Sequence, residues 1–176
     1  MNELLTQPFL ISLLFGAVTA GVPLLLAGLG EQISEKAGVL NIGIEGMMLF
    51  GAYTGFVAAY YTGSFWMGFL AGGLGGMVVA SVVVLLCIRQ GLNQIVIGIA
   101  LTIGAEGLTA LLHFFQFAKT YPRLDKAPVL EIPGLAGIPV IGPALFSHNI
   151  VVYLAVALVV FLGWLFRKSY VGLNLE

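Results

Sequence analysis

The sequence predicts an all-α fold, a polytopic membrane helix bundle of about five transmembrane helices, on three observations. Of 176 residues, 60% are hydrophobic and 9% charged, against roughly a quarter charged in soluble domains. Apolar runs matching the about 20 residues of a membrane-crossing helix recur along the chain. Between Glu45 and Arg89 no side chain is charged. Seven basic and eight acidic residues, net −1, cannot cover a soluble particle of this size, and they carry no signal for nucleic acid.

The spans fall at Phe9 to Leu29, Val39 to Tyr61, Phe65 to Ile88, Leu92 to Phe117, and Ile150 to Phe166. The first is read as a retained span, because "MNELLTQP" offers no Lys or Arg and the apolar run exceeds the about 7–15 residues of a signal-peptide core. Only "YYTGS", Tyr60 to Ser64, punctuates the charge-free interval, so spans two and three form a tight hairpin. If the five spans alternate, Lys36, Arg89, Arg167 and Lys168 fall on one side, which the distribution of basic residues makes cytoplasmic. The loop from Ala118 to Asn149 is then extracellular. It contains five prolines, which excludes one continuous helix and predicts short extended pieces or a shallow re-entrant segment. Tyr60, Tyr61, Phe65, Trp66, Trp164 and Tyr170 lie near span ends, where amphipathic rings anchor at the interface.

Gly68, Gly72 and Gly76 recur every fourth residue along the third span, baring one face so that another backbone comes close. Spacing leaves open whether that contact is within the chain or between two copies. Gly51 and Gly55 make a shorter version on the second span.

Polar groups inside apolar helices need a reason, since a mid-bilayer carboxylate costs about 2.5–3.5 kcal/mol on insertion scales. In "AGVLNIGIEG", Asn41 and Glu45 are four apart, on one face if helical, while Gly38, Gly43 and Gly46 weaken helix in this segment. An unwound stretch here would border a cavity. The alternative is that Glu45 snorkels to the interface or pairs with another helix. In the fourth span, Asn93 and Gln94 stand at the cytoplasmic end, Glu106 near the middle and His113 two turns on. Glu106 and His113 share a face, roughly 10 Å apart along the axis. Glu106 is either an interhelical partner or part of a solute route. Asn41, Glu45, Asn93, Gln94 and Glu106 are therefore the candidate pathway residues.

No metal site is expected. Cys87 is the only cysteine, and His113 and His148 lie in different regions without a ligand set. No Gly-x-Ser-x-Gly elbow, His-Glu-x-x-His or phosphate-cradling glycine loop occurs in the chain, so no catalytic residue is assigned and ATP hydrolysis is not expected of it.

The stretch "GLGEQISEKAGVLNIGIEGMMLFGAY", Gly28 to Tyr53, resembles the permease subunits of ABC importers in the branched-chain amino acid/ribose permease superfamily, and is most similar to those for nucleosides and simple sugars. Ser34 through Met48 carry the pattern Ser-Glu-Lys/Arg-x-Gly-Val-Ile/Leu-Asn-Ile/Leu-Gly-Ile/Val-Glu-Gly-Met-Met. Arg89 with "LNQIVIGIAL" resembles the family's next cytoplasmic turn and helix start. "RKSYVGLNLE" resembles the approach to the loop that docks on the ATPase, which assigns Arg167, Lys168 and Gly172 to that approach. The family continues into a coupling helix and further spans, whereas this sequence stops at Glu176. The resemblance thus implies the N-terminal part of a longer permease, with residues 1–176 a single transmembrane domain incomplete at its C-terminus.

The resemblance further implies a plasma-membrane importer subunit for a nucleoside or simple sugar. Its partners would be a second permease subunit, a cytoplasmic ATP-binding subunit that uses the ATP, an extracellular solute-binding lipoprotein and membrane lipid. No cofactor would bind this chain. Two rivals stand beside it: half of an ion-coupled secondary transporter with Glu106 titrating, and a non-transport membrane scaffold held by the Gly68 to Gly76 face.

Overall fold

The computed structural model describes residues 6–118, 120, 122–124 and 127–168. They fall into two compact units, the described parts of Met1–Gly30 with Ala127–Glu176, and of Glu31–Lys126. Four described helices are long and apolar enough to cross a membrane: Gln7–Lys36, Phe65–Arg89, Gln94–Phe117 and Ile150–Lys168.

Helix α1 (Gln7–Lys36) outruns the expected first span at both ends. It stops where Gly38 takes φ +80°. There the Gly38 N–H donates to the Glu35 carbonyl and the Val39 N–H to the Ser34 carbonyl, both at 2.9 Å, the paired bonds of a Schellman stop. Pro23 lies inside the helix, where it removes one intrahelical bond. Residues 39–41 then carry no regular structure, residues 42 and 43 turn, and α2 (Ile44–Thr62) begins.

This corrects two expectations. The second helix starts at Ile44 instead of Val39, so Asn41 precedes the helix that carries Glu45 and the two share no helical face. Helix α2, with Glu45 and three tyrosines among its 19 residues, is not among the four membrane-length helices.

The second unit is built on glycine-mediated contacts. Helix α2 ends at Gly63, in the left-handed region, and α3 (Phe65–Val83) starts at once with Ser64 as N-cap, its hydroxyl accepting from the Met67 N–H at 3.4 Å. A methyl built on Gly51 would stand 2.8 Å from the Gly72 carbonyl oxygen, and one on Gly55 2.8 Å from that of Gly68. The bare faces of α2 and α3 thus meet backbone to backbone, and the question left open by spacing is answered within the chain for Gly68 and Gly72. Gly76 is looser, its added methyl lying 3.5 Å from the Met47 carbonyl. A π-helical turn, Val84–Arg89, holding the buried Cys87, prolongs α3.

Helix α4 (Gln94–Phe117) packs along α2 in the same direction. Gly43 lies against Gly98, Gly46 against Leu101 and Thr102, and the Phe56 ring against His113 and Phe117.

In the first unit, β1 (Val129–Glu131) pairs antiparallel with β2 (Ser147–Asn149), with Leu130 opposite His148. The short helix α5 (Ile141–Leu145) lies between them and α6 (Ile150–Lys168) follows. The proline-rich stretch therefore holds short extended pieces, a small departure from an all-α chain. His148 is 1% exposed, stacks on Phe15 at 4.4 Å, and places Nε2 2.8 Å from the Ala144 carbonyl oxygen.

Candidate functional site

The break between α1 and α2 strips backbone groups of their helical partners, and two side chains capture them. The Leu40 N–H donates to Gln94 Oε1 at 2.7 Å and the Asn41 N–H to Glu31 Oε1 at 3.0 Å. Gln94 stands in the first turn of α4 and Glu31 near the end of α1, so consecutive amides are held from two helices. The Asn41 side chain donates from Nδ2 to Met47 Sδ at 3.5 Å. Glu31 Oε2, Asn41 Oδ1 and Thr102 Oγ1 are buried without a hydrogen-bond partner among the described residues. Orphaned oxygens of this kind cost about 1–3 kcal/mol each. Glycines close this point sterically, since a methyl on Gly98 would stand 2.9 Å from the Gly43 nitrogen.

The other predicted pathway residues take different places. Asn93 caps α4, its Oδ1 accepting from the Ile95 and Val96 N–H groups at 2.9 and 3.2 Å. Glu45 is exposed in the first turn of α2, where a carboxylate complements the helix dipole. Glu106 is exposed on α4 and lines an open groove of about 560 Å³. The structure thus puts Gln94 on Leu40, next in the chain to Asn41, puts Glu106 elsewhere, and leaves Asn93 in a capping role.

The groove lies between α2 and α4. Tyr53, Phe56, Glu106, Thr109, His113 and Pro122 are among its walls. Phe56 meets His113 at 6.4 Å between ring centroids and Phe117 edge-on at 5.6 Å. The Tyr53 hydroxyl donates to Gln116 Oε1 at 2.7 Å, while Gln116 Nε2 donates to the Tyr61 oxygen at 3.2 Å. The Thr109 hydroxyl turns back to the Ala105 carbonyl at 2.7 Å. Among the described residues no partner meets the Glu106 carboxylate.

Sequence reasoning missed Glu31, Thr102, Tyr53 and Gln116. Glu31 sits four residues before Glu35 on a helix that reads as ending earlier, and nothing periodic links it to Asn41 across the Gly38 stop. Tyr53 and Gln116 are 63 apart, beyond any local pattern. Arg167 and Lys168 are exposed in the last turn of α6, beside a cleft of about 380 Å³ that Trp164 also lines. Gly172 lies outside the described residues.

The family described as branched-chain amino acid transport system / permease component matches residues 13–176. The chain belongs to this permease family. It is a multi-pass plasma-membrane protein. It is 40% identical over 171 residues to a permease protein of Haloferax volcanii whose name assigns it provisionally to a glucose ABC transporter, covering 95% of this chain and 51% of that protein. A guanosine ABC transporter permease protein of Bacillus subtilis is 31% identical over 166 residues, 88% of this chain and 51% of its own. A nucleoside ABC transporter permease protein of Lactococcus lactis subsp. cremoris is 29% identical over 162 residues, with the same coverage. The chain spans about half the length of these curated relatives. No solved structure matches it.

Proposed function

We propose that this chain is the membrane-spanning part of an ABC importer permease that moves a neutral polar solute, a nucleoside or simple sugar, across the plasma membrane. The observation that carries the reading is family membership together with relatives named for glucose, guanosine and nucleoside transport. Residues 1–176 act as one transmembrane domain, with residues 118–149 outside the cell. A second permease subunit completes the route, a cytoplasmic ATP-binding subunit hydrolyses ATP, and an extracellular lipoprotein delivers the solute. Arg167, Lys168 and Gly172 lead to the ATPase contact.

Asn41, Glu45, Asn93, Gln94 and Glu106 border the route, Asn93 and Gln94 by shaping it. Support comes from the broken helix around Asn41, because non-helical backbone at membrane depth is tolerated where it is packed in protein or lines a cavity. Hydroxyl-bearing solutes are served by acceptor oxygens without a compensating charge. The test is uptake of labelled guanosine and glucose by vesicles carrying the complete permease with its ATPase and binding protein. ATP-dependent accumulation is expected. Uptake that runs without ATP on a proton gradient rejects the importer in favour of an ion-coupled carrier.

A further inference from the structure

We infer that the groove between α2 and α4 is a selectivity subsite that accepts a neutral, hydroxyl-bearing ring and rejects its phosphorylated form, with Glu106 as the discriminating residue. The inference rests on the importer reading above and adds to it a location and a selection rule. The groove, about 560 Å³, falls within the roughly 300–1,000 Å³ typical of small-molecule sites. One wall is aromatic: Phe56, backed edge-on by Phe117 at 5.6 Å, stands 6.4 Å from the His113 ring, and Tyr53 adds a further face. Such faces take a planar base or the C–H face of a sugar, and they are insensitive to which ring is offered.

Apart from His113, whose ring N–H can donate, the polar groups of the groove are acceptors. Tyr53 spends its proton on Gln116 and Thr109 spends its own on the Ala105 carbonyl, so neither hydroxyl keeps a proton to donate into the groove. Glu106, without a partner among the described residues, adds a group that when ionised only accepts. A ring bearing hydroxyl or amino donors satisfies this set. A phosphate finds no donor from these three groups and a like charge facing it. At the few-ångström separations the groove permits, one like charge in a partly wetted site is enough for about tenfold discrimination or more.

The measurement is saturation-transfer NMR on the full chain in lipid nanodiscs, with guanosine, guanosine 5′-monophosphate, glucose and glucose 6-phosphate as probes. Saturation of aromatic protein protons should reach guanosine and glucose, each preferred about tenfold or more over its phosphate. Glu106→Gln should bring the phosphorylated probes to within about threefold of the neutral ones. Phe56→Leu should weaken all probes together. Glu106→Ser is the second neutral variant, read in the same way if Glu106→Gln does not fold.

Unchanged discrimination in both Glu106 variants overturns the inference. So does the absence of saturation transfer to any probe, as expected if a lipid chain or another helix fills the groove. Because this assay needs neither ATP nor the binding protein, its failure leaves the uptake result standing. Conversely, proton-driven uptake defeats the importer without touching the selectivity measured here.

Discussion

Replacing Gly55 by alanine tests the backbone-to-backbone seam between α2 and α3 most directly. The added methyl would sit 2.8 Å from the Gly68 carbonyl oxygen and 3.3 Å from the Gly72 Cα. Both obstacles are backbone, so no side chain can rotate away, and relief requires the helices to separate by several tenths of an ångström along the seam. Overpacking of this kind costs about 1–3 kcal/mol, offset by about 1 kcal/mol of helix propensity. Gly73→Ala is the matched control, since nothing lies within 4 Å of its new methyl and only the propensity gain remains. Propensity cancels between the two variants, leaving Gly55→Ala less stable than Gly73→Ala by about 1–3 kcal/mol. Equilibrium unfolding of the full chain in mixed micelles with increasing SDS, followed by helical circular dichroism, measures that gap. Coincident unfolding curves would refute the seam, and would mean that α2 and α3 are held by something other than their glycine faces.

Three further outcomes are expected. Glu31→Ala leaves the part-buried Asn41 amide without its acceptor, a loss of about 1–3 kcal/mol, so exchange at Asn41 should accelerate about fivefold or more, while Glu31→Gln, which keeps an acceptor oxygen, should stay close to the parent; Gln94→Ala frees the more exposed Leu40 amide and should accelerate its exchange less. Asn93→Ala removes the α4 cap and should cost about 0.5–2 kcal/mol in the same unfolding assay, with Asn93→Ser restoring most of it. His148→Ala empties a fully buried ring site and should destabilise its own unit by about 3 kcal/mol, seen as faster amide exchange across Val129–Glu131 and Ser147–Asn149.

Much of this architecture is written locally. Charge-poor runs reveal the helices because a bilayer tolerates few charges, and "YYTGS" reveals the hairpin because Gly63 and Ser64 supply a left-handed stop and a cap in adjacent positions. The four-residue glycine spacing exposed the seam, though its partner became visible only with both helices in place. The weakened helix before Glu45 was legible in Gly38 and Gly43. Its consequence for Asn41 was not, because a helix wheel assumes the helix it is used to find. Glu31 stayed hidden for a related reason: its value lies in an acceptor aimed across a chain reversal. The Tyr53–Gln116–Tyr61 chain joins residues 55 to 63 apart, and only the parallel packing of α2 on α4 brings them together.

The broken segment also limits how the second unit can move. Its amides at Leu40 and Asn41 would be satisfied by a helix running unbroken from α1 into α2, with no long side chain immobilised. Instead, Gln94 reaches across 54 residues and Glu31 across 10, and both give up rotamer freedom to do so. Because the two acceptors come from different helices, any displacement of α4 relative to the end of α1 must break one bond or drag the segment along. Breaking one leaves an amide in a region already holding three orphaned oxygens, at about 1–3 kcal/mol. Dragging it keeps Gly43 and Ile42 seated against Gly98, so this close packing is preserved. The second course costs less, so the segment should travel with α4 as a unit. A cleavable bifunctional thiol cross-linker joining cysteines placed at Leu40 and Gln94 should therefore leave uptake by the complete permease proposed above intact, whereas loss of uptake on cross-linking, restored by cleavage, would show that these two positions must part.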